Sequence, residues 1–88
     1  MNLTVVGAGY IGLVTSLCFS EVGYNVFCID VDQNKIKNLK NGVSHIYESQ
    51  IERLLLSNTS AGRIHFFDHF EAAKTHSNLF FIAVGTPL

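Results

Sequence analysis

Residues Val5 to Gly12 read VVGAGYIG, two β-branched residues running directly into three glycines spaced two and three apart. In a chain of 88 residues, where every ordered residue must help to hold the fold, three such permissive residues so early need a reason. Leu3 to Val6 is a short β-branched run. From Tyr10 to Val22 the pattern shifts to a helical period, with Leu13 and Leu17 in one row and Val14, Cys18 and Val22 in the next. A strand, then GxGxxG, then a helix is the arrangement in which a dinucleotide pyrophosphate rests on a helix N-terminus. Gly7 permits the tight turn out of the strand, Gly9 removes a Cβ that would block the phosphates, and Gly12 lets the helix sit close on the sheet.

The rest of the chain supports this reading. Gly23 is a C-terminal cap, Asn25 to Ile29 reads as a second strand, and Asp32 is placed to cap a helix with apolar positions Ile36, Leu39 and Val43, closed by Asn41-Gly42. His45 to Asn58 carries a further helical segment with Ile51, Leu54 and Leu55 on one side, and NTSAG, Asn58 to Gly62, is a loop by composition. Arg63 to Phe67 alternates loosely, as an edge strand does. Phe70 to Lys74 makes a short helix, and Leu79 to Val84, LFFIAV, is a continuous apolar run suited to a strand covered on both faces. The predicted fold class is α/β: a partial Rossmann-like, doubly wound parallel sheet of about four strands in the spatial order 3-2-1-4. That order sets RIHFF at an edge and LFFIAV beside the first strand, in the middle of any larger sheet. The chain stops at GTPL, just beyond the fourth strand, and residues 1–88 are therefore expected to be a single, truncated NAD-binding domain.

Eighteen residues after Gly12, at the end of the second strand, stands Asp30. A carboxylate there can accept two ribose hydroxyls, in charge-assisted bonds of roughly 1.5–3 kcal/mol each. It repels a 2′-phosphate, and the next residue is Val31 rather than an arginine, so NAD is preferred over NADP. Asp32 reads as a helix cap in preference to a ligand contact. For Lys35 two readings stay open, a solvated helix face and a reach back to the adenosine ribose.

Six basic and seven acidic residues leave a net charge of −1, with no basic cluster beyond the helically spaced Lys35, Lys37 and Lys40, which argues against nucleic acid as a partner. With 48% hydrophobic and 15% charged residues the chain is too apolar for disorder. Cys18 and Cys28 are isolated, have no partner at metal-ligand spacing, and are expected to be buried, reduced thiols in a cytoplasmic protein. Met1 leads straight into a strand pattern, and no apolar run approaches the roughly 18 residues of a membrane span. His45, His65, His69 and His76 fit no motif and are expected on the surface.

VVGAGYIGLVTSLCFSEVGYNVFCIDVDQNKIKNLKNG together with FFIAVGTP resembles the N-terminal NAD-binding domain of the UDP-glucose/GDP-mannose dehydrogenase family, over essentially the whole chain. The GAGYIGLV start, Asp30-Val31-Asp32 with Lys35, and Val84-Gly85-Thr86-Pro87 carry the likeness. The resemblance implies that Gly7, Gly9, Tyr10, Ile11 and Gly12 hold the pyrophosphate, that Asp30 and Lys35 hold the adenosine ribose, and that Thr86 approaches the nicotinamide half. It implies a parent enzyme that oxidises the C6 alcohol of a nucleotide sugar to a carboxylate in two NAD-dependent steps through a cysteine nucleophile. No residue of this chain matches that cysteine, so no catalytic residue is assigned, and the chain alone is expected to bind NAD and to be inactive. Where similar members read close to PIYEPGL, this sequence has His45-Ile46-Tyr47-Glu48-Ser49-Gln50-Ile51, without either proline or the glycine.

Two other readings share the opening motif: a regulatory NAD-binding module of the kind that gates potassium transport, and a different NAD-dependent dehydrogenase, such as one acting on hydroxyacyl substrates. Neither accounts for the terminal GTPL as well. A last expectation concerns LFFIAV, whose uncovered side favours self-association through the fourth strand.

Overall fold

The computed structural model describes residues 1–71 and 79–83. In chain order its elements are β1 (Asn2–Val6), α1 (Tyr10–Glu21), β2 (Asn25–Ile29), α2 (Gln33–Lys40), α3 (Ser49–Ser60), β3 (Ile64–Phe67) and β4 (Leu79–Ile82). The four strands are parallel and lie in the order β3-β2-β1-β4, as the alternation of strands and helices requires.

Register brings the carboxyl ends of three strands level, with Val6 opposite both Ile29 and Ile82. Two bonds prolong this edge: Gly7 N–H donates to the Ile29 carbonyl at 2.7 Å, and Ala83 N–H donates to the Val6 carbonyl at 2.8 Å. The turn that leaves β1 is thereby stitched to the strands on either side of it.

One face of the sheet, carrying Leu3, Val5, Val26, Cys28, Ile64 and Phe66, forms a single core with Leu13 and Leu17 of α1, Ile36 and Leu39 of α2, and Ile51 and Leu55 of α3. Phe27 and Ile29 face the other way and pack with Phe67. The inner strands β1 and β2 are buried along most of their length, whereas β3 alternates between buried and half-buried positions as an edge strand should. Against the sheet α1 turns Gly12, Ser16 and Ser20, one small residue per turn, flanked by Leu13 and Leu17. Small side chains in that row bring the helix axis close.

This geometry corrects several expectations. Of the Val14, Cys18, Val22 row only Val14 meets the core, half-buried against it, because the serine row occupies the sheet side; Cys18 is exposed and Val22 is 73% exposed, while Cys28 is buried. Val43 lies beyond the end of α2 and is exposed. The helix expected from His45 begins only at Ser49, because the Ser44 hydroxyl closes a local turn: it donates to the Ile46 carbonyl at 2.9 Å and accepts from Ile46 N–H at 2.8 Å. At its other end α3 runs on through Ser60, into the stretch expected to be loop, because Asn58 is a buried polar hub. Its amide donates to the Leu54 carbonyl at 2.9 Å and to Glu21 at 3.2 Å, and accepts from Arg63 Nε at 2.8 Å.

The strand at the other edge is β4, with all four residues exposed, from Phe81 at 40% to Ile82 at 63%. Its continuous apolar run is not covered on both faces by the described residues. Most of the short helix expected over Phe70 to Lys74, and Val84 to Leu88 with Thr86 among them, lie outside the described residues, as does His76.

Candidate cofactor site

The site begins where β1 ends. Gly7 turns the chain at φ 109°, a conformation that strongly favours glycine, and Ala8 follows it fully buried. Gly9 then caps α1 without any side-chain hydrogen bond, and the first turn of the helix contains no acidic residue. Leu13 N–H is the first to return to the helix, onto the Gly9 carbonyl at 2.9 Å. Geometry thus leaves the N–H groups of the first turn, at Tyr10, Ile11 and Gly12, without an intrahelical acceptor, at the positive end of the helix dipole. Tyr10 and Ile11 stand exposed around them, at 53% and 60%.

The second and third glycines differ in what surrounds them. A Cβ on Gly12 would run into the Gly7 carbonyl, so the third glycine serves the contact between helix and turn. A Cβ on Gly9 would meet nothing within 4 Å, so the second glycine serves no internal contact. The open space beside it fits a phosphate approaching the helix mouth.

Asp30 follows β2 and turns toward the same place. Its Oδ2 accepts from Ala8 N–H at 2.9 Å, which ties it to the glycine turn across a separation of 22 residues, and its Oδ1 accepts from Asp32 N–H at 2.9 Å. Lys35 Nζ approaches Oδ2 at 3.4 Å, and the carboxylate side chain is only 15% exposed. Burial alone would push this carboxyl up, but the N–H groups of Asp32 and Ala8 and the Lys35 ammonium outweigh it and hold it below the usual aspartate value. Asp30 is thus an ionised, oriented acceptor. Its two N–H bonds fix the carboxylate, and the longer contact to Lys35 is the one that can give way to a ribose hydroxyl.

Asp32 behaves as a helix cap, its Oδ1 accepting from Lys35 N–H at 3.0 Å. Beside it Val31 is 87% exposed and offers no charge for a 2′-phosphate. Val6, Gly7, Ile29, Asp30 and Val31 line a cleft of about 100 Å³ at the carboxyl ends of β1 and β2, the position in which open α/β sheets receive ligands. A larger concavity of about 410 Å³, lined by Ser49, Gln50 and Arg53, draws on none of these groups.

The structure therefore brings Gly7, Gly9, Tyr10, Ile11, Gly12, Asp30 and Lys35 together, and these residues fit a dinucleotide: open main-chain donors for the diphosphate, an ionised acceptor for the ribose. Thr86 lies outside the described residues. His45 is exposed, as expected of a surface histidine. Partial loss of water, reinforced by the Lys35 ammonium, holds its imidazole below the usual histidine value.

The other histidines of the described residues serve locally. His65 stacks on Phe27 at 5.2 Å, and His69 Nδ1 pairs with Asp68 at 2.8 Å. Among the described residues no group of His, Cys, Asp and Glu could hold a metal, and no helix is long and apolar enough to cross a membrane. Burial pushes the Cys28 thiol up to about 11, which makes it a poor nucleophile.

Known proteins agree with this geometry. Residues 1–88 match the NAD binding domain of the UDP-glucose/GDP-mannose dehydrogenase family. A UDP-glucose 6-dehydrogenase of Bacillus subtilis is 46% identical over 87 residues, covering 99% of this chain and 20% of its relative. Among solved structures, a UDP-D-ManNAc dehydrogenase from Pyrococcus horikoshii superposes with a TM-score of 0.94 at 42% identity, over 100% of this chain and 21% of that one. A ternary complex of GDP-mannose dehydrogenase from Pseudomonas aeruginosa also gives 0.94, at 37% identity over 99% and 20%. The chain thus spans about a fifth of the length of these relatives. With its sheet order, its glycine turn and a match from end to end, this chain belongs to the UDP-glucose/GDP-mannose dehydrogenase family and carries that family's NAD-binding domain.

Proposed function

We propose that this chain is the N-terminal NAD-binding part of a nucleotide-sugar 6-dehydrogenase of the UDP-glucose type, which oxidises the C6 alcohol of a sugar to a carboxylate with two NAD. The observation that carries the cofactor reading is Asp30, ionised and bonded to the glycine turn through Ala8. The substrate reading is supported by relatives named UDP-glucose 6-dehydrogenase at 46% and 45% identity over this domain. Bound NAD supplies the hydride acceptor. For this chain's own residues the roles are binding and orientation: first-turn N–H groups of α1 receive the diphosphate, Asp30 takes the ribose hydroxyls, and Lys35 moves off Asp30 to the ribose. The isolated domain is expected to bind NAD and turn over nothing, in a cytoplasmic setting consistent with two free cysteines.

Calorimetric titration with NAD and NADP tests the ribose contact. Wild type is expected to prefer NAD, and Asp30→Ala to lose roughly tenfold or more of NAD affinity while the gap between the two cofactors narrows. Asp30→Asn, which keeps one acceptor oxygen for the turn, controls for loss of fold. Equal wild-type affinity for NAD and NADP would remove the argument.

Self-association through β4 follows from its exposure. In the described sheet β4 pairs only with β1, and Phe80 and Ile82 are 44% and 63% exposed. Analytical ultracentrifugation at rising concentration is expected to show dimers or larger species, weakened by Phe80→Lys with Ile82→Lys. A strictly monomeric protein at high concentration contradicts this.

A further inference from the structure

We propose that Ala8 is a positioning residue of the cofactor site: through its N–H the Asp30 carboxylate braces the glycine turn, and so orients the first-turn donors of α1 toward the diphosphate besides taking the ribose. This rests on the NAD reading of that turn. From Ala8 to Gly12, the Ala8 N–H is the one main-chain donor with an acceptor among the described residues. Its bond to Asp30 Oδ2, at 2.9 Å, therefore holds the only fixed point in a stretch whose other N–H groups are left to a ligand.

The peptide that carries this N–H meets the helix on its other side. In a trans peptide N–H and C=O point in opposite directions, and the Gly7 carbonyl of the same unit abuts Gly12 so closely that a Cβ there would overlap it. The Gly7–Ala8 peptide thus stands between the Asp30 carboxylate and the opening of α1. Gly7, at φ 109°, has the freedom to let this peptide rotate, and the buried Ala8 methyl group holds the residue's place without fixing the plane. The carboxylate fixes it. Its Oδ1 is in turn anchored by the Asp32 N–H at 2.9 Å, and Asp32 caps α2, whose Ile36 and Leu39 lie in the core, so the brace stands on a packed element.

The brace and the ribose contact predict opposite signs for a ligand that has the diphosphate but no ribose hydroxyls. An ionised carboxylate repels a diphosphate, so if Asp30 served the ribose alone, its removal would leave such a ligand bound equally or more tightly. If Asp30 also holds the turn, its removal weakens that ligand. Linkage adds a second requirement: a bond that favours the binding-competent turn must in return be strengthened by binding.

The test is NMR titration of wild type, Asp30→Ala and Asp30→Asn with ADP and with 2′,3′-dideoxy-ADP, following hydrogen exchange of the Ala8 amide in each protein. Asp30→Ala is expected to bind dideoxy-ADP roughly threefold to tenfold more weakly, the equivalent of one hydrogen bond. Its Ala8 amide is expected to lose protection while the core amides of Leu17 and Val26 keep theirs. Asp30→Asn, which retains an oxygen for the Ala8 N–H, is expected to keep both that protection and its dideoxy-ADP affinity. In wild type, saturating dideoxy-ADP is expected to slow exchange at Ala8, an arm that needs no variant and stands even if Asp30→Ala does not fold. Equal or tighter dideoxy-ADP binding by Asp30→Ala, weaker binding by either variant with the Ala8 amide still protected, or wild-type Ala8 exchange unchanged at saturation would each overturn the brace and leave the NAD site standing. So would a wild type that binds ADP but not dideoxy-ADP. No binding of ADP or NAD by wild type would overturn both.

Discussion

Gly12→Ala is expected to cost this domain about 3 kcal/mol or more, a large part of its stability. The added Cβ would overlap the Gly7 carbonyl oxygen and come within 2.8 Å of its carbon and 3.3 Å of the Ala83 Cβ. The first two obstacles are backbone, so no rotamer change relieves them. The Gly7 turn cannot retreat easily, since its N–H is bonded to Ile29 at 2.7 Å and Gly7 already sits at φ 109°. Relief has to come from α1 lifting off the sheet, which opens the packing around Leu13 and Leu17, both fully buried. At ~0.05–0.15 kcal/mol per residue, a domain of 88 residues holds only about 4–13 kcal/mol in total. Urea denaturation followed by far-UV circular dichroism reads the result. A midpoint equal to wild type would mean that the helix does not sit as close as the geometry requires.

The same closeness explains what could be read in the sequence and what could not. The β1 turn, the opening of α1, the placement of Asp30 and the Asp32 cap all rest on interactions within a few residues or on a spacing set by one βαβ unit, and such signals survive in the linear pattern. Strand order followed from handedness once the elements were in place. The outward face of α1 was misread because hydrophobicity alone favours Cys18 and Val22 over Ser16 and Ser20. The sheet's need for small residues decided otherwise. Asn58 looked like a loop residue because its partners, Glu21 and Arg63, come from α1 and from the approach to β3.

Gly9→Ala is expected to do the opposite of Gly12→Ala: to leave stability intact and remove the cofactor. Gly9 has φ −71° and ψ −164°, a backbone that any L-residue adopts, and its new methyl group would meet no atom within 4 Å. Replacing glycine at such a site restricts the unfolded chain and stabilises by about 0.4–1 kcal/mol, so the urea midpoint should equal or exceed that of wild type. On the proposed binding mode, however, the diphosphate approaches the first-turn N–H groups of α1 directly, and the methyl group would fill space beside them. Displacing the diphosphate from one or two charge-assisted bonds costs on the order of 1.5–3 kcal/mol, a fall in NAD affinity of roughly tenfold to a hundredfold by calorimetry. A fold-neutral loss of that size has one physical source: the space beside Gly9 is kept for something outside the chain. If Gly9→Ala folds as well as wild type and still binds NAD as tightly, the diphosphate does not enter by that route, and the division of labour between Gly9 and Gly12 fails with it.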